Sequence, residues 1–127
     1  MNLKSPLGKA RGLGSAKEGS KHWWHQRITA IALVFLSLWF VISLITLTGA
    51  GYGEVYSWLS RPDSSILAIL TILFSFYHLK LGIQVIAEDY IHTEWKKLFV
   101  IILTDFGCIV IALTSVLSVL LVSIGGQ

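Results

Sequence analysis

Long hydrophobic runs dominate the sequence after residue 27. Three of them, at residues 28–48, 66–87 and 98–124, approach or exceed the roughly 20 residues that a helix needs to cross a ~30 Å hydrocarbon core. Their apolar residues surround the helix on all sides instead of forming one stripe, as in helices that are buried in lipid or in a bundle. The pattern therefore predicts an all-α membrane protein with three transmembrane helices.

Polar and small residues fill the remaining segments. Residues 1–26 are rich in glycine, serine and lysine and have no apolar periodicity, which predicts a polar, flexible tail ahead of a membrane domain at 27–127. In the first connection, Val55, Trp58 and Leu59 follow i, i+3, i+4 spacing. This spacing predicts a short helix that lies on the outer membrane surface.

Lysine and arginine are unequally distributed between the two sides of the predicted membrane domain. The N-terminal side carries Lys4, Lys9, Arg11, Lys17, Lys21 and Arg27. The second connection adds Lys96 and Lys97, whereas the first connection has only Arg61 and the C-terminus has none. The positive-inside rule therefore predicts that the N-terminus and second connection are cytoplasmic, and that the first connection and C-terminus are periplasmic.

The composition agrees with a lipid environment and excludes several other classes. Hydrophobic residues make up 54% of the chain and charged residues 13%, against about a quarter charged in a typical soluble domain. The single cysteine, Cys108, excludes an internal disulfide and a cysteine-rich metal site, and its apolar surroundings predict a small buried side chain. The net charge of +3 comes from residues beside the apolar runs, which favours a membrane surface over nucleic acid as the partner.

One histidine, His78, lies near the middle of the second run. An ionisable side chain is costly at that depth, so His78 predicts a partner inside the bundle, either a hydrogen-bonding group on another helix or a haem iron. Gly82, Val85 and Asp89 follow at i+4, i+7 and i+11, near the same helix face. Gly82 leaves room for a flat, bulky group, although small residues also serve ordinary helix packing in membranes.

An acidic and a phenolic side chain, Asp89 and Tyr90, follow about 16–18 Å further along the same helix. The phenol can donate a hydrogen bond to a quinone carbonyl, and the carboxylate can relay protons from water. The same two residues also suit a solvated helix end and an aromatic belt at the membrane interface. Taken alone, they leave both interpretations open.

Two more charges, Lys80 and Asp105, lie inside the second and third runs. Each is about 10 Å below the cytoplasmic interface at ~1.5 Å per residue, and the short connection makes the two helices antiparallel neighbours. An ion pair would spare each charge the cost of isolation in hydrocarbon. In the alternative, Lys80 extends to the lipid headgroups while Asp105 bonds within its own bundle.

Two motifs connect these residues with a known family. The first helix opens with "HWWHQR" (residues 22–27), an H-W-x-x-x-R pattern, and the second contains H-x10-D-Y, formed by His78, Asp89 and Tyr90. With three helices after the tail, the chain resembles the small hydrophobic membrane-anchor subunit of succinate dehydrogenase (succinate:quinone oxidoreductase, complex II). The second motif is the more specific evidence for this family, because residue types, spacing and depth in the membrane must all agree.

The resemblance implies roles for four residues. His78 would be an axial ligand of a b-type haem shared with the larger cytochrome b anchor subunit, and Arg27, whose guanidinium fork suits a carboxylate, would pair with a haem propionate. Tyr90 would hydrogen-bond a ubiquinone carbonyl, with Asp89 in the same pocket. His22 and His25 have no assigned role, and no catalytic residue for succinate chemistry is implied in this chain.

The implied partners are the larger anchor, the iron–sulfur subunit and the flavoprotein subunit, all in a bacterial inner (plasma) membrane. The chain has neither a flavin-binding fingerprint nor an iron–sulfur cysteine array, so succinate oxidation would occur in the soluble subunits. Two alternatives remain at this point. One is the anchor of a related fumarate reductase, and the other is a non-redox assembly or transport subunit of the membrane.

Overall fold

Four helices form the part of the chain that the computed structural model describes, residues 15–125, with side chains from residue 19. They are α1 (Ser15–Thr46), α2 (Tyr52–Ser60), α3 (Pro62–Tyr90) and α4 (Glu94–Gly125). The three long helices, α1, α3 and α4, are long and apolar enough to cross a membrane. No strand occurs between residues 15 and 125, and the predicted all-α fold with three membrane-spanning helices is confirmed.

The first helix begins earlier than the hydrophobic pattern predicts. Residues 15–26 belong to α1, so the polar segment ahead of the first hydrophobic run is helical from Ser15, while residues 1–14 lie outside the described residues. A helix that is already nucleated by a long apolar run extends at little cost per residue. In addition, His22 Nε2 and Gln26 Oε1 are buried, so this extension is partly covered on one side.

Local sequence explains where the shorter elements begin. Gly49, just after α1, has a φ of +82°, a left-handed conformation that residues with a Cβ atom rarely adopt. The Gly51 backbone N–H donates to Glu54 Oε2 at 2.9 Å, which stabilises the first turn of α2. Pro62 is the first residue of α3, where its missing N–H is not needed. The predicted short helix around Val55 is confirmed as α2.

The three long helices lie in a row with α3 in the middle. α3 packs against both neighbours, whereas α1 and α4 have no close contact within the described residues. Ser65 and Ser123 hydrogen-bond at one end of α3 and α4, and Lys80 approaches Asp105 further along, so these helices are antiparallel. α2 packs across α3 and α4.

A row buries much less surface than a closed bundle. Large apolar side chains such as Phe35 on α1 and Leu121 on α4 are 70% and 71% exposed, and both helices carry many others like them. Cys108 is among the few buried hydrophobic side chains, as its sequence environment predicts. The open faces are available to lipid or to helices of other subunits.

Candidate functional site

His78 joins α3 to α1 through a hydrogen bond. Its Nδ1 lies 2.9 Å from the hydroxyl oxygen of Thr29, which is 3% exposed. Among the described residues, no hydrogen bond is made to the second ring nitrogen, Nε2. The sequence predicted that the partner of His78 is either a hydrogen-bonding group on another helix or a haem iron. The observed hydrogen bond to Thr29 is compatible with a metal on the same ring, because it occupies Nδ1 alone.

An open cleft of about 790 Å³ separates α1 from α3 beginning one turn beyond His78. Its walls include residues of both helices, namely His22, Trp23, Gln26 and Arg27 on α1 and Gly82, Val85 and Glu88 on α3. A Cβ atom added to Gly82 would meet only Gln26 Nε2, at 3.9 Å, so the space beside this glycine is open. The structure therefore provides room for a bulky group next to the backbone of α3.

Two polar atoms on the α1 side of the cleft are buried without a partner among the described residues. They are His22 Nε2 and Gln26 Oε1, one helical turn apart on α1. A buried polar atom without a hydrogen bond costs about 1–3 kcal/mol. This wall of the cleft therefore offers hydrogen-bonding capacity that the described part of the chain leaves unused.

Arg27 lies on the rim of the same cleft. Its guanidinium carbon is 5.4 Å from the centre of the Trp23 ring, in cation–π geometry. Within the described residues Arg27 forms no ion pair, and its side chain is exposed. The position combines a permanent positive charge with open space, as recognition of an anionic group requires.

Asp89 and Tyr90 are the last two residues of α3 and remain apart from the cleft. At ~1.5 Å per residue they lie about 16–18 Å from His78 along the helix. Both are exposed, Tyr90 to 77%, and neither makes a side-chain hydrogen bond to another described residue. This chain therefore presents the phenol and carboxylate at a surface, and it does not by itself enclose a pocket around them.

The two charges inside the spans face each other across the α3–α4 contact. Lys80 Nζ lies 3.6 Å from Asp105 Oδ2, and the two side chains are 36% and 35% exposed. Lys80 is two residues from His78, about 200° around the helix. α3 thus directs its histidine towards α1 and its lysine towards α4.

No group of three or more histidine, cysteine or acidic side chains suited to a metal ion occurs among the described residues. A lone histidine cannot hold a bare metal ion, but it can complete the coordination of an iron whose other ligands come from a macrocycle and a second chain.

Comparison with known proteins decides the family. The model of the family described as "Succinate dehydrogenase/Fumarate reductase transmembrane subunit" matches residues 1–122. The chain belongs to this family. It is consequently a multi-pass membrane protein, in agreement with its three long apolar helices. Membership in the succinate dehydrogenase and fumarate reductase family favours an anchor subunit over a non-redox assembly or transport subunit.

Curated relatives are all named as succinate dehydrogenase anchors. The chain is 34% identical over 110 residues to the hydrophobic membrane anchor subunit of Rickettsia conorii, covering 86% of this chain and 87% of that protein. The corresponding subunit of Rickettsia bellii is 40% identical over 90 residues, with 71% and 72% covered. That of Paracoccus denitrificans is 30% identical over 112 residues, with 88% and 87% covered. No solved structure matches the chain.

Two contacts in this succinate dehydrogenase family member were missed in the sequence. One is the bond from Thr29 to His78, and the other joins the Tyr77 hydroxyl to His25 Nδ1 at 2.8 Å. The available signal for Thr29 was a hydroxyl at the start of the first hydrophobic run, one turn after His25 and next to the HWWHQR motif. Nothing comparable distinguished Tyr77, because a tyrosine in an apolar helix also suits ordinary packing.

Proposed function

We propose that this chain is an anchor of a succinate:ubiquinone oxidoreductase, in which His78 would hold the iron of a b-type haem and Asp89 and Tyr90 would form one wall of the ubiquinone-reduction site. The observation that carries the proposal is the hydrogen bond to His78. It holds the imidazole through Nδ1 in the middle of a membrane helix and leaves Nε2 for another ligand.

The residues present fit a b-type haem, which when bound supplies a one-electron redox centre. His78 would hold the iron, Gly82 would leave room for the macrocycle, and Arg27 would pair with a propionate. The unused polar atoms of His22 and Gln26 line the same cleft and suit a polar substituent. His78 is the only histidine within the three hydrophobic runs of the sequence, so we assign the remaining protein ligand of the iron to the larger cytochrome b anchor subunit.

Asp89 and Tyr90 would act on the quinone. The Tyr90 hydroxyl would donate a hydrogen bond to a ubiquinone carbonyl, which favours the charge that develops on that oxygen during reduction. Asp89 would pass protons from water to the same site. Reduction of the quinone to the quinol takes two electrons and two protons, and the exposure of both side chains leaves them accessible to a pocket completed by partner subunits.

The remaining parts of the reaction belong to the partners. The flavoprotein subunit would oxidise succinate to fumarate, releasing two electrons and two protons, and the iron–sulfur subunit would deliver the electrons. In the inner membrane, a cytoplasmic N-terminus and a periplasmic C-terminus agree with Lys96 and Lys97 beside the second connection. This orientation puts Asp89 and Tyr90 at the cytoplasmic surface, where protons are taken up.

The replacement His78→Leu tests the haem assignment. Leucine is favoured at the centre of a membrane helix, so insertion should be retained while the complex loses its b-type absorption band. His92→Leu, in the second connection, is the matched control and should keep the band. An unchanged haem spectrum in purified His78→Leu complex would show that the assignment is wrong.

A further inference from the structure

Thr29 is in a position to decide which nitrogen of His78 carries the proton. Its hydroxyl oxygen lies 2.7 Å from the His25 carbonyl oxygen, 3.1 Å from the Gln26 carbonyl oxygen and 2.9 Å from His78 Nδ1. A hydroxyl has one proton to donate, and a carbonyl oxygen can only accept. With two carbonyl groups available for that proton, the hydroxyl is left to accept from the imidazole. His78 then carries its proton on Nδ1.

The protonated Nδ1 has a direct consequence for the other ring nitrogen. In a neutral imidazole with Nδ1–H, the lone pair is on Nε2, which is the form that binds a metal. Thr29 is 3% exposed and is held by the α1 backbone, so neither water nor a mobile side chain supplies this contact. The contacts of Thr29 therefore favour one orientation and one tautomer of the ring.

We propose that Thr29 is a positioning residue, which holds His78 as the Nδ1–H tautomer and strengthens Nε2 as an iron ligand. The inference rests on the proposed haem function. A hydrogen bond donated by Nδ1–H raises the basicity of the ligating nitrogen, and such partners typically change metal affinity 10–100-fold. A more basic imidazole favours ferric over ferrous iron, so Thr29 should lower the reduction potential of the haem.

A bond that served helix packing alone would change stability without changing the electronic properties of the ligand. The potential of the haem separates these roles, because it depends on the basicity of Nε2 and is read in complexes that have assembled. Thr29→Val removes the hydroxyl and keeps the shape of the side chain, whereas Thr29→Ser keeps the hydroxyl and removes a methyl group. The pair therefore isolates the hydrogen bond from the packing.

The experiment is a redox titration of the haem absorption in purified complexes. For Thr29→Val we expect a tenfold fall in the preference for ferric iron, which corresponds to a rise of about 59 mV for a one-electron couple. Thr29→Ser should stay at the wild-type potential. If Thr29→Val does not assemble, Thr29→Cys, with a weak sulfur acceptor, must shift the potential in the same direction.

The outcomes distinguish this inference from the proposed function. Loss of haem in His78→Leu, combined with wild-type potentials in Thr29→Val, would overturn the role of Thr29 and leave the ligand assignment intact. Equal shifts in Thr29→Val and Thr29→Ser would likewise refute it, since both would then act through packing. Haem retained in His78→Leu would instead refute the proposed function.

Discussion

Removing the charges of Lys80 and Asp105 one at a time should destabilise the complex more than removing both. The atoms are 3.6 Å apart, at which two unit charges attract by roughly 4–5 kcal/mol with an effective dielectric constant of about 20. Because the side chains are 36% and 35% exposed and the cost of desolvation opposes the attraction, we expect a net coupling of about 1–3 kcal/mol. Each single variant leaves the other charge stranded in an apolar region.

The assay is the midpoint temperature at which the purified complex dissociates in mild detergent. Lys80→Met and Asp105→Leu should each lower the midpoint more than the double variant does. Lys97→Met is the matched control. It breaks the pair between Lys97 and Glu94 at 3.2 Å, where Glu94 is 88% exposed, and exposed pairs of this kind contribute about 0–1 kcal/mol. If the losses from Lys80→Met and Asp105→Leu add in the double variant, the two residues do not stabilise each other.

Two further replacements test the quinone site and the cleft. Tyr90→Phe should slow ubiquinone reduction about 10-fold by removing one hydrogen bond, while succinate oxidation with an artificial acceptor stays at the wild-type rate. An equal fall in both rates would indicate an assembly defect instead of a quinone role. Gly82→Ala should keep the haem, because its Cβ meets only Gln26 Nε2 at 3.9 Å, whereas Gly82→Leu should fill the cleft and lower the ratio of haem to protein. The same ratio in both Gly82 variants would show that the haem does not use this space.

Helix number and approximate position could be predicted because they depend on the length of apolar runs. α2 was also predictable, since Val55, Trp58 and Leu59 share one face. The matching depth of Lys80 and Asp105 could be predicted in the same way, because charges are rare in membrane spans and their positions can be counted from the interface, but only the structure shows that the two side chains meet.

The start of α1 and the contacts of Thr29 depend on packing that local sequence does not specify. Gly19 and the polar residues near it weigh against a helix, yet α1 continues through them from Ser15. A threonine in a helix commonly bonds to its own backbone, as Thr29 does to the His25 carbonyl group. Its contact with His78 depends on how α1 is rotated about its own axis relative to α3. Helices that are apolar on all sides have no stripe of residues in their sequence from which this rotation could be predicted.

The placement of α3 between α1 and α4 affects the stability of this subunit on its own. A row of three helices has two wide faces, and side chains such as Phe35 and Leu121 have no partner in the described part of the chain. Alone in a bilayer, the subunit would have its cleft open and two buried polar atoms without a hydrogen bond among the described residues. We therefore expect the subunit to be less stable alone than beside helices that cover these faces and supply hydrogen bonds to the cleft.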